Sequence, residues 1–144
     1  YRLAPLIERL RRALGVDRSR SVAIVGAGRI GRALMAYPRF GQRGFRIVAV
    51  FDVDDDIVGR TLDGHVVQSL NAVQDVVEAE VIELGIIAVP EAEADMVAAK
   101  LIDAGIEGLL NFAPCHLDVD VPVVDVDLSS SLEELAWAMA ASVG

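Results

Sequence analysis

The chain has 144 residues and a formal net charge of −9, and 53% of its residues are hydrophobic while only 5% are aromatic. This length and composition are typical of a single α/β domain that can bury its own core. No apolar run reaches the roughly 18 residues of a membrane span, no signal peptide is visible, and the one cysteine excludes an internal disulfide. We therefore expect a cytoplasmic protein without membrane contact.

Charge is divided unevenly along the chain. Residues 1–44 contain ten arginines and two acids, a net charge of +8, whereas the remainder contains three bases and twenty acids, a net charge of −17. An acidic body is a poor electrostatic match for nucleic acid. The basic segment can face phosphate or can be a solvated helix face, and by itself it does not predict DNA binding.

The first predicted element is a helix that ends at Gly15. Pro5 suits its first turn, and apolar residues recur every three or four positions from Leu3 to Leu14. This helix packs on the domain or links it to an upstream part. Because the chain opens on Tyr1 rather than Met, we expect a fragment of a longer protein.

A glycine motif follows the first predicted strand, Val22 to Val25. The motif is Gly26-Ala27-Gly28-Arg29-Ile30-Gly31, and a helical pattern begins within it. Gly26 allows a tight turn, Gly28 allows the backbone to approach a pyrophosphate, and Gly31 allows the helix to pack closely on the strand. Free N–H groups and the positive dipole end of the helix favour phosphate. Although such motifs also occur by chance in loops, this context predicts dinucleotide binding.

A second strand, Phe45 to Phe51, is followed by Asp52, which lies 21 residues after Gly31. A carboxylate at this position accepts hydrogen bonds from an adenosine ribose and repels a 2′-phosphate, which favours NAD(H) over NADP(H). The acidic residues 54–56 lack the glycine and the distal glutamate of a calcium loop. We interpret them as a solvated turn.

Strands and helices alternate through the rest of the chain. The predicted strands are His65–Val67, Leu84–Val89, Glu107–Phe112 and Pro122–Val126, and the predicted helices are Asn71–Ala79 and 91–104. This alternation predicts an α/β fold, a Rossmann-type doubly wound parallel sheet with the strand order 3-2-1-4-5-6. Ligands of such sheets bind beyond the carboxyl ends of the strands.

The predicted carboxyl ends offer little catalytic chemistry. Val89-Pro90 and Asn111 to Pro114 are mostly apolar and lack a proton carrier. Cys115 has only the adjacent His116 as a base, and neighbouring side chains generally point apart. We find no metal-ligand spacing and no room for a substrate domain, so we expect binding without catalysis.

The last predicted helix is apolar on two sides. A capping box opens it at residues 129–134, one stripe of apolar residues follows, and Trp137 lies roughly opposite that stripe. Such a helix needs two surfaces to cover it. The second surface is either a second subunit or the chain's own loops.

Several of these motifs, taken together and in order over nearly the whole chain, resemble the Rex family of redox-sensing transcriptional repressors. The motifs are the glycine motif, Tyr37-Pro38, Phe51-Asp52-Val53-Asp54, Ala88-Val89-Pro90, Asn111-Phe112-Ala113-Pro114 and Val126-Asp127-Leu128. The resemblance implies a winged-helix DNA-binding domain upstream, a Rossmann domain that senses the NADH/NAD⁺ ratio, and a homodimer that exchanges its last helix. It also implies that NADH releases operator DNA.

The resemblance divides the chain into three parts. Residues 1–15 form a linker helix after a missing winged-helix domain, residues 16–127 form the NAD(H)-binding domain, and residues 128–144 form the dimerisation helix. Asp127 would lie near the contacts of the closed dimer. The expected cofactor-binding residues are Gly26, Ala27, Gly28, Arg29, Ile30, Gly31, Tyr37, Asp52, Val53, Val89, Pro90, Phe112, Ala113, Pro114 and Asp127.

Two alternatives belong to other functional classes. One is the NAD-binding domain of a dehydrogenase, and the other is the CoA-binding domain of an acyl-CoA ligase. Asp52 disfavours the CoA-binding alternative, because its carboxylate suits a free ribose diol, whereas CoA carries a 3′-phosphate on that ribose. Cys115 and His116 depart from the apolar pair that the family leads us to expect there.

Overall fold

A computed structural model describes residues 19–37 and 44–126, together with Pro5 and Gly41. Within these residues the strands are β1 Arg20–Val25, β2 Phe45–Asp52, β3 Thr61–Leu62, β4 His65–Ser69, β5 Leu84–Ile87, β6 Gly108–Asn111 and β7 Val123–Asp125. The helices are α1 Arg29–Met35, α2 Val73–Glu80, which follows a 3-10 turn at Leu70–Ala72, and α3 Glu91–Asp103.

The strands form one sheet in the order β3-β4-β2-β1-β5-β6-β7. All neighbours are parallel except β3, which pairs antiparallel with β4. Without β3 this order is the predicted 3-2-1-4-5-6, so the doubly wound Rossmann-type fold is confirmed. The β3–β4 hairpin is an addition that the sequence interpretation missed.

Apolar residues cover both faces of the sheet because side chains alternate along each strand. In β1, Ala23 and Val25 belong to a first hydrophobic cluster, which includes Val77 of α2 and Leu101 of α3. Their neighbours in β1 belong to a second cluster, which includes Leu34 of α1. The helices therefore cover opposite faces, α1 on one side and α2 and α3 on the other.

This arrangement places the reversal of strand order between β1 and β5. The chain leaves β1 toward α1 on one face, and it leaves the adjacent strand β5 toward α3 on the opposite face. The carboxyl ends of β1 and β5, where the two connections diverge, are the position at which ligands of such sheets bind.

The strand ends lie level with one another along this edge, which we call the carboxyl edge. Backbone hydrogen bonds of 2.8 Å continue the ladder one residue past each strand, from the N–H of residues 26, 88, 112 and 126. Segments that are separated by up to a hundred residues in sequence are thus held at one level. The glycine motif, Asp52 and the residues that follow β5 and β6 are brought together here.

Some sequence predictions lie outside the described residues. They are the helix of residues 1–15 apart from Pro5, the Pro38 position, Asp127, and the exchanged helix 128–144 with Trp137. Among the helices that are described, none combines the length and the apolar character that crossing a membrane requires.

Candidate functional site

The first part of the site is the glycine turn, residues 26–31 between β1 and α1. Gly26 has φ = +110°, and a Cβ atom added there would collide with the Ala88 carbonyl oxygen. A Cβ atom on Gly31 would collide with the Gly26 carbonyl oxygen. A Cβ atom on Gly28 would meet nothing within 4 Å. Two of these glycines are therefore required by packing, whereas Gly28 keeps an open surface in front of the backbone.

Helix α1 starts directly at this open surface. Gly28 is its N-cap residue and offers no side-chain cap, and the first turn contains no acidic residue. The first N–H groups of α1 therefore have no side-chain cap and no acidic residue of their own turn beside them. Arg29 is exposed beside them, and Ile30 packs against the second hydrophobic cluster.

Asp52, the last residue of β2, is only 7% exposed, and each of its carboxylate oxygens accepts a hydrogen bond from the backbone. Its Oδ2 accepts a hydrogen bond from the Ala27 N–H at 2.8 Å, and its Oδ1 accepts one from the Asp54 N–H at 2.9 Å. The carboxylate therefore holds the glycine turn from 25 residues away. A carboxylate has about four acceptor sites, so Asp52 keeps capacity for a ribose diol. Val53 is exposed next to it.

The second part of the site is the apolar wall, which follows β5 and β6 and consists of Val89, Pro90, Phe112, Ala113 and Pro114. Val89, Phe112 and Ala113 are buried, and the two prolines are exposed. Phe112 packs in the second hydrophobic cluster, whereas Ala113 and Val89 pack in the first. The chain after β6 therefore crosses the carboxyl edge from one face of the sheet to the other.

Asn111, the last residue of β6, holds this crossing and was not given a role by the sequence interpretation. Its side chain is 0% exposed. Its Oδ1 accepts from the Ala113 N–H at 3.0 Å, and its Nδ2 donates to the Cys115 carbonyl oxygen at 2.9 Å and to Asp125 Oδ1 at 3.0 Å. An Asn followed by a turn signals the first of these bonds in the sequence, but nothing there signals Asp125.

Cys115 lies beside the apolar wall and is half-buried. Burial raises the pKa of its thiol, and the carboxylates of Asp95, Glu91 and Asp125 raise that pKa further. The thiol is therefore kept protonated at neutral pH, which makes it a poor nucleophile. The exposed His116 points its Nδ1 toward Asp125 Oδ2, at 3.5 Å.

The remaining predicted residues divide between described and undescribed parts of the chain. Tyr37 is described, and it packs against the second hydrophobic cluster just after α1. Asp127 lies outside the described residues. Across residues 19–37 and 44–126, no three or more His, Cys, Asp or Glu side chains are grouped so that they could hold a metal ion.

Comparison with protein families gives one match, the model described as the CoA binding domain, which covers residues 17–115. Among curated proteins, the chain is 40% identical over 139 residues to the redox-sensing transcriptional repressor Rex of Carboxydothermus hydrogenoformans. It is 36% identical over 137 residues to the protein of that name from Thermosipho africanus. The alignments cover 95% of this chain and 67% and 66% of those relatives, so the chain spans about two thirds of their length.

Comparison with solved structures also finds Rex-family repressors. The chain resembles RSP, a Rex-family repressor, in complex with β-NADH, with a TM-score of 0.78 and 30% identity over 99% of this chain and 70% of that one. RSP in complex with β-NAD⁺ and operator DNA matches with the same TM-score and identity, over 66% of its chain. With its doubly wound sheet, its glycine turn and these relatives, the chain belongs to the Rex family of redox-sensing transcriptional repressors.

Proposed function

We propose that this chain is the NADH/NAD⁺-sensing domain of a transcriptional repressor, in which NADH binding changes the dimer geometry and releases operator DNA. One observation carries the proposal: the glycine turn, Asp52 and the apolar wall lie next to one another at the carboxyl edge, where the strand order reverses. A dinucleotide needs one group for its phosphates, one for its ribose and one for its nicotinamide, and the three candidate groups follow neighbouring strands at the carboxyl edge.

The glycine turn and Asp52 favour NAD(H) among the nucleotides. The open surface at Gly28 and the uncapped first turn of α1 accept a pyrophosphate. Asp52 accepts hydrogen bonds from the ribose hydroxyls. It disfavours NADPH, because its buried carboxylate would face a 2′-phosphate of the same charge. Arg29 and Val53 border the same surface.

The apolar wall supports discrimination between the two redox states. Both states share adenosine, riboses and pyrophosphate, and contacts that are equal in both cannot shift a conformational equilibrium. The nicotinamide is a neutral puckered ring in NADH and a flat cation in NAD⁺. An apolar surface imposes a desolvation cost on the cation alone. A preference of roughly 10²–10³ requires only about 2.7–4 kcal/mol.

The assembly is part of the same proposal. Residues 1–15 link the domain to an upstream winged-helix domain, residues 16–127 bind NAD(H), and residues 128–144 exchange between two subunits with Asp127 at the contacts of the closed dimer. The apolar face around Trp137 supports the exchange. Deletion of residues 129–144 should give a monomer or an aggregate in light scattering. A truncated chain that remains a well-behaved dimer would place the interface elsewhere.

We further propose a cytoplasmic protein that binds its nucleotide without catalysis. Cys115, beside the apolar wall, has a raised pKa, and the exposed His116 is directed toward Asp125. Neither residue supplies the positioned acid or base that hydride transfer to a carbonyl substrate requires. Turnover of NADH with any carbonyl compound would favour the dehydrogenase alternative.

Titration of the purified chain with NADH, NADPH and CoA tests the nucleotide class. We expect NADH to bind most tightly, NADPH at least about tenfold more weakly because of Asp52, and CoA not to compete with NADH. The match to the CoA binding domain model makes CoA the informative competitor. Tighter binding of CoA than of NADH would contradict the proposal.

A further inference from the structure

Asn111 combines complete burial with a side-chain amide that makes three hydrogen bonds. Asp52, Asn111 and Ser21 are the buried polar or charged side chains of the described residues, and of these Asn111 has the lowest exposure. Because a buried amide without hydrogen bonds is costly, an Asn at the end of a core strand indicates a position where its bonds are needed. The bonds identify what is held.

The direction of the amide is fixed by its neighbours. Both Nδ2 contacts are acceptors, the Cys115 carbonyl oxygen and the Asp125 carboxylate, while the Oδ1 contact is the Ala113 N–H. A reversed amide would direct Oδ1 toward two oxygen atoms and its NH₂ group toward an N–H donor. Asn111 therefore serves three bonds that Asp, Leu or Ala could not all replace.

These bonds determine the shape of the turn formed by residues 112–115. Ala113 and Cys115 are both tied to the same side chain, and the Cys115 N–H also donates to the Ala113 carbonyl oxygen at 2.8 Å. The result is a tight turn directly after Phe112, and Ala113 at its start packs in the first hydrophobic cluster. The part of the apolar wall that follows β6 thus has its geometry set by Asn111.

We infer that Asn111 is a positioning residue for the nicotinamide end of the pocket, acting through the turn of residues 112–115 and braced by Asp125. The inference rests on the proposed function, because it assigns the nicotinamide to the apolar wall. Asn111 itself is fully buried, so we assign it no direct contact with the ligand. The glycine turn follows β1 and Asp52 ends β2, and Asn111 makes no side-chain bond to either element.

The inference separates two ligands that differ only at one end. NADH carries the nicotinamide, and ADP-ribose lacks it while keeping the adenosine, the riboses and the pyrophosphate. Asn111→Asp keeps the side-chain shape but replaces both donors by an acceptor. We expect this variant to bind NADH about tenfold or more weakly, as the loss of buried hydrogen bonds implies, with ADP-ribose affinity changed less than about threefold. The fluorescence change of the nicotinamide on binding should also fall.

Three further variants keep the test decisive if Asn111→Asp folds poorly. Asp125→Ala removes one bond at a partly exposed carboxylate, so it should retain the fold and give a smaller loss of NADH affinity, about threefold. His116→Ala removes the other contact of Asp125 and should have no effect. Asp120→Ala, an exposed carboxylate in the same connection, controls for the lost charge and should also have no effect.

Exchange of the two groups provides a rescue. The double variant with Asn111→Asp and Asp125→Asn restores a donor–acceptor pair between positions 111 and 125 with its direction reversed. It should recover part of the NADH affinity that Asn111→Asp loses. A merely structural role for Asn111 would lower the melting temperature and weaken NADH and ADP-ribose equally, and that result would overturn the inference.

Titrations of the unmutated 144-residue chain and its variants with NADH and ADP-ribose, at one temperature below all melting transitions, decide the matter. A loss of NADH affinity without a loss of ADP-ribose affinity, in Asn111→Asp and in Asp125→Ala, supports the positioning role. Equal loss of both ligands, or unchanged NADH affinity, overturns it while leaving the proposed function intact. An unmutated chain that binds neither ligand overturns the proposed function and the inference with it.

Discussion

The glycine turn with Asp52 and the apolar wall lie side by side at the carboxyl edge, but they are built from different chemical groups. The glycine turn combines backbone N–H groups with one buried carboxylate, whereas the wall combines two exposed prolines with buried valine, alanine and phenylalanine side chains. Polar groups at fixed positions suit parts of a nucleotide that never change. An apolar surface suits the one part whose charge changes with its redox state.

The comparison also shows two ways of holding a loop at a sheet edge. Asp52 accepts two backbone N–H groups and holds the glycine turn. Asn111 accepts a hydrogen bond from one N–H and donates hydrogen bonds to two oxygen atoms, and in this way it holds the turn after β6. Each is a buried polar residue at the last position of a strand, which is where the ladder ends and the next loop needs its bonds satisfied.

Alanine substitutions in the glycine turn should have the largest effect and separate folding from binding. Gly26→Ala and Gly31→Ala place a methyl group against backbone carbonyl oxygens, at Ala88 and at Gly26, and each should lower the free energy of unfolding by at least about 3 kcal/mol. Gly28→Ala meets no atom. It should retain the melting temperature while weakening NADH, NAD⁺ and ADP-ribose together.

Thermal denaturation followed by titration of the folded variants checks this contrast. If Gly28→Ala leaves all three affinities unchanged, the phosphates do not approach this backbone. If instead Gly31→Ala is as stable as the unmutated chain, the close contact of α1 with β1 is wrong.

Asp52→Ala should have the next largest effect. Removing the carboxylate relieves its repulsion of a 2′-phosphate and should narrow the difference between NADH and NADPH by about 1–3 kcal/mol. NADH should also bind more weakly, because the Ala27 N–H loses its acceptor. Asp54→Ala, an exposed neighbour, is the matched control and should leave the difference unchanged. Equal affinity of the unmutated chain for NADH and NADPH would contradict the role of Asp52.

Ala113→Asp changes the charge of the apolar wall and should act on the nicotinamide alone. A carboxylate there stabilises the NAD⁺ cation and weakens NADH, so the NADH/NAD⁺ affinity ratio should fall about tenfold, with ADP-ribose unaffected by the charge. Because Ala113 is buried, Ala113→Asn of equal size provides the control for packing. The nicotinamide would lie elsewhere if Ala113→Asp lowered the affinities for NADH, NAD⁺ and ADP-ribose equally and Ala113→Asn had the same effect.

Asp95→Asn should have the smallest effect. Asp95 contributes to the raised pKa of Cys115, after burial and before Glu91 and Asp125, so its charge acts on the surface beside the wall. Neutralising Asp95 should lower the affinity for NAD⁺ about two- to fivefold and leave the affinity for NADH unchanged.

The same variant should change the reactivity of the thiol. In the unmutated chain the raised pKa of Cys115 moves the rise in its alkylation rate to higher pH than for an ordinary thiol. Asp95→Asn lowers that pKa, so the rise should move to lower pH. Asp103→Asn, at the exposed far end of α3, should change neither quantity.

The sequence predicts the fold well because the fold depends on local and periodic signals. Buried strands, the glycine motif and the alternation of elements suffice for the order of six strands. The hairpin of β3 and β4 was missed because β3 has only two residues. The dipeptide Asp63-Gly64, with φ angles of 50° and 83°, carried the signal, since such pairs are typical of tight hairpin turns.

The position of the candidate residues at the strand ends was predictable from the sequence, but the hydrogen bonds between them were not. Asp52 follows a strand at the spacing expected for a ribose contact, yet its bond to the Ala27 N–H joins positions 25 residues apart. Asn111 and Asp125 are 14 residues apart and meet because β6 and β7 are adjacent and in register. Such pairs depend on strand order and register together, and neither residue alone reveals its partner.

The central claim is that the apolar wall distinguishes the two redox states while the glycine turn and Asp52 bind both alike. Isothermal titration of the unmutated chain with NADH and NAD⁺, in one buffer and at one ionic strength, tests it most directly. We predict that NADH binds more tightly by roughly 10²–10³, which corresponds to about 2.7–4 kcal/mol. Equal affinities for NADH and NAD⁺, or tighter binding of NAD⁺, would contradict the account.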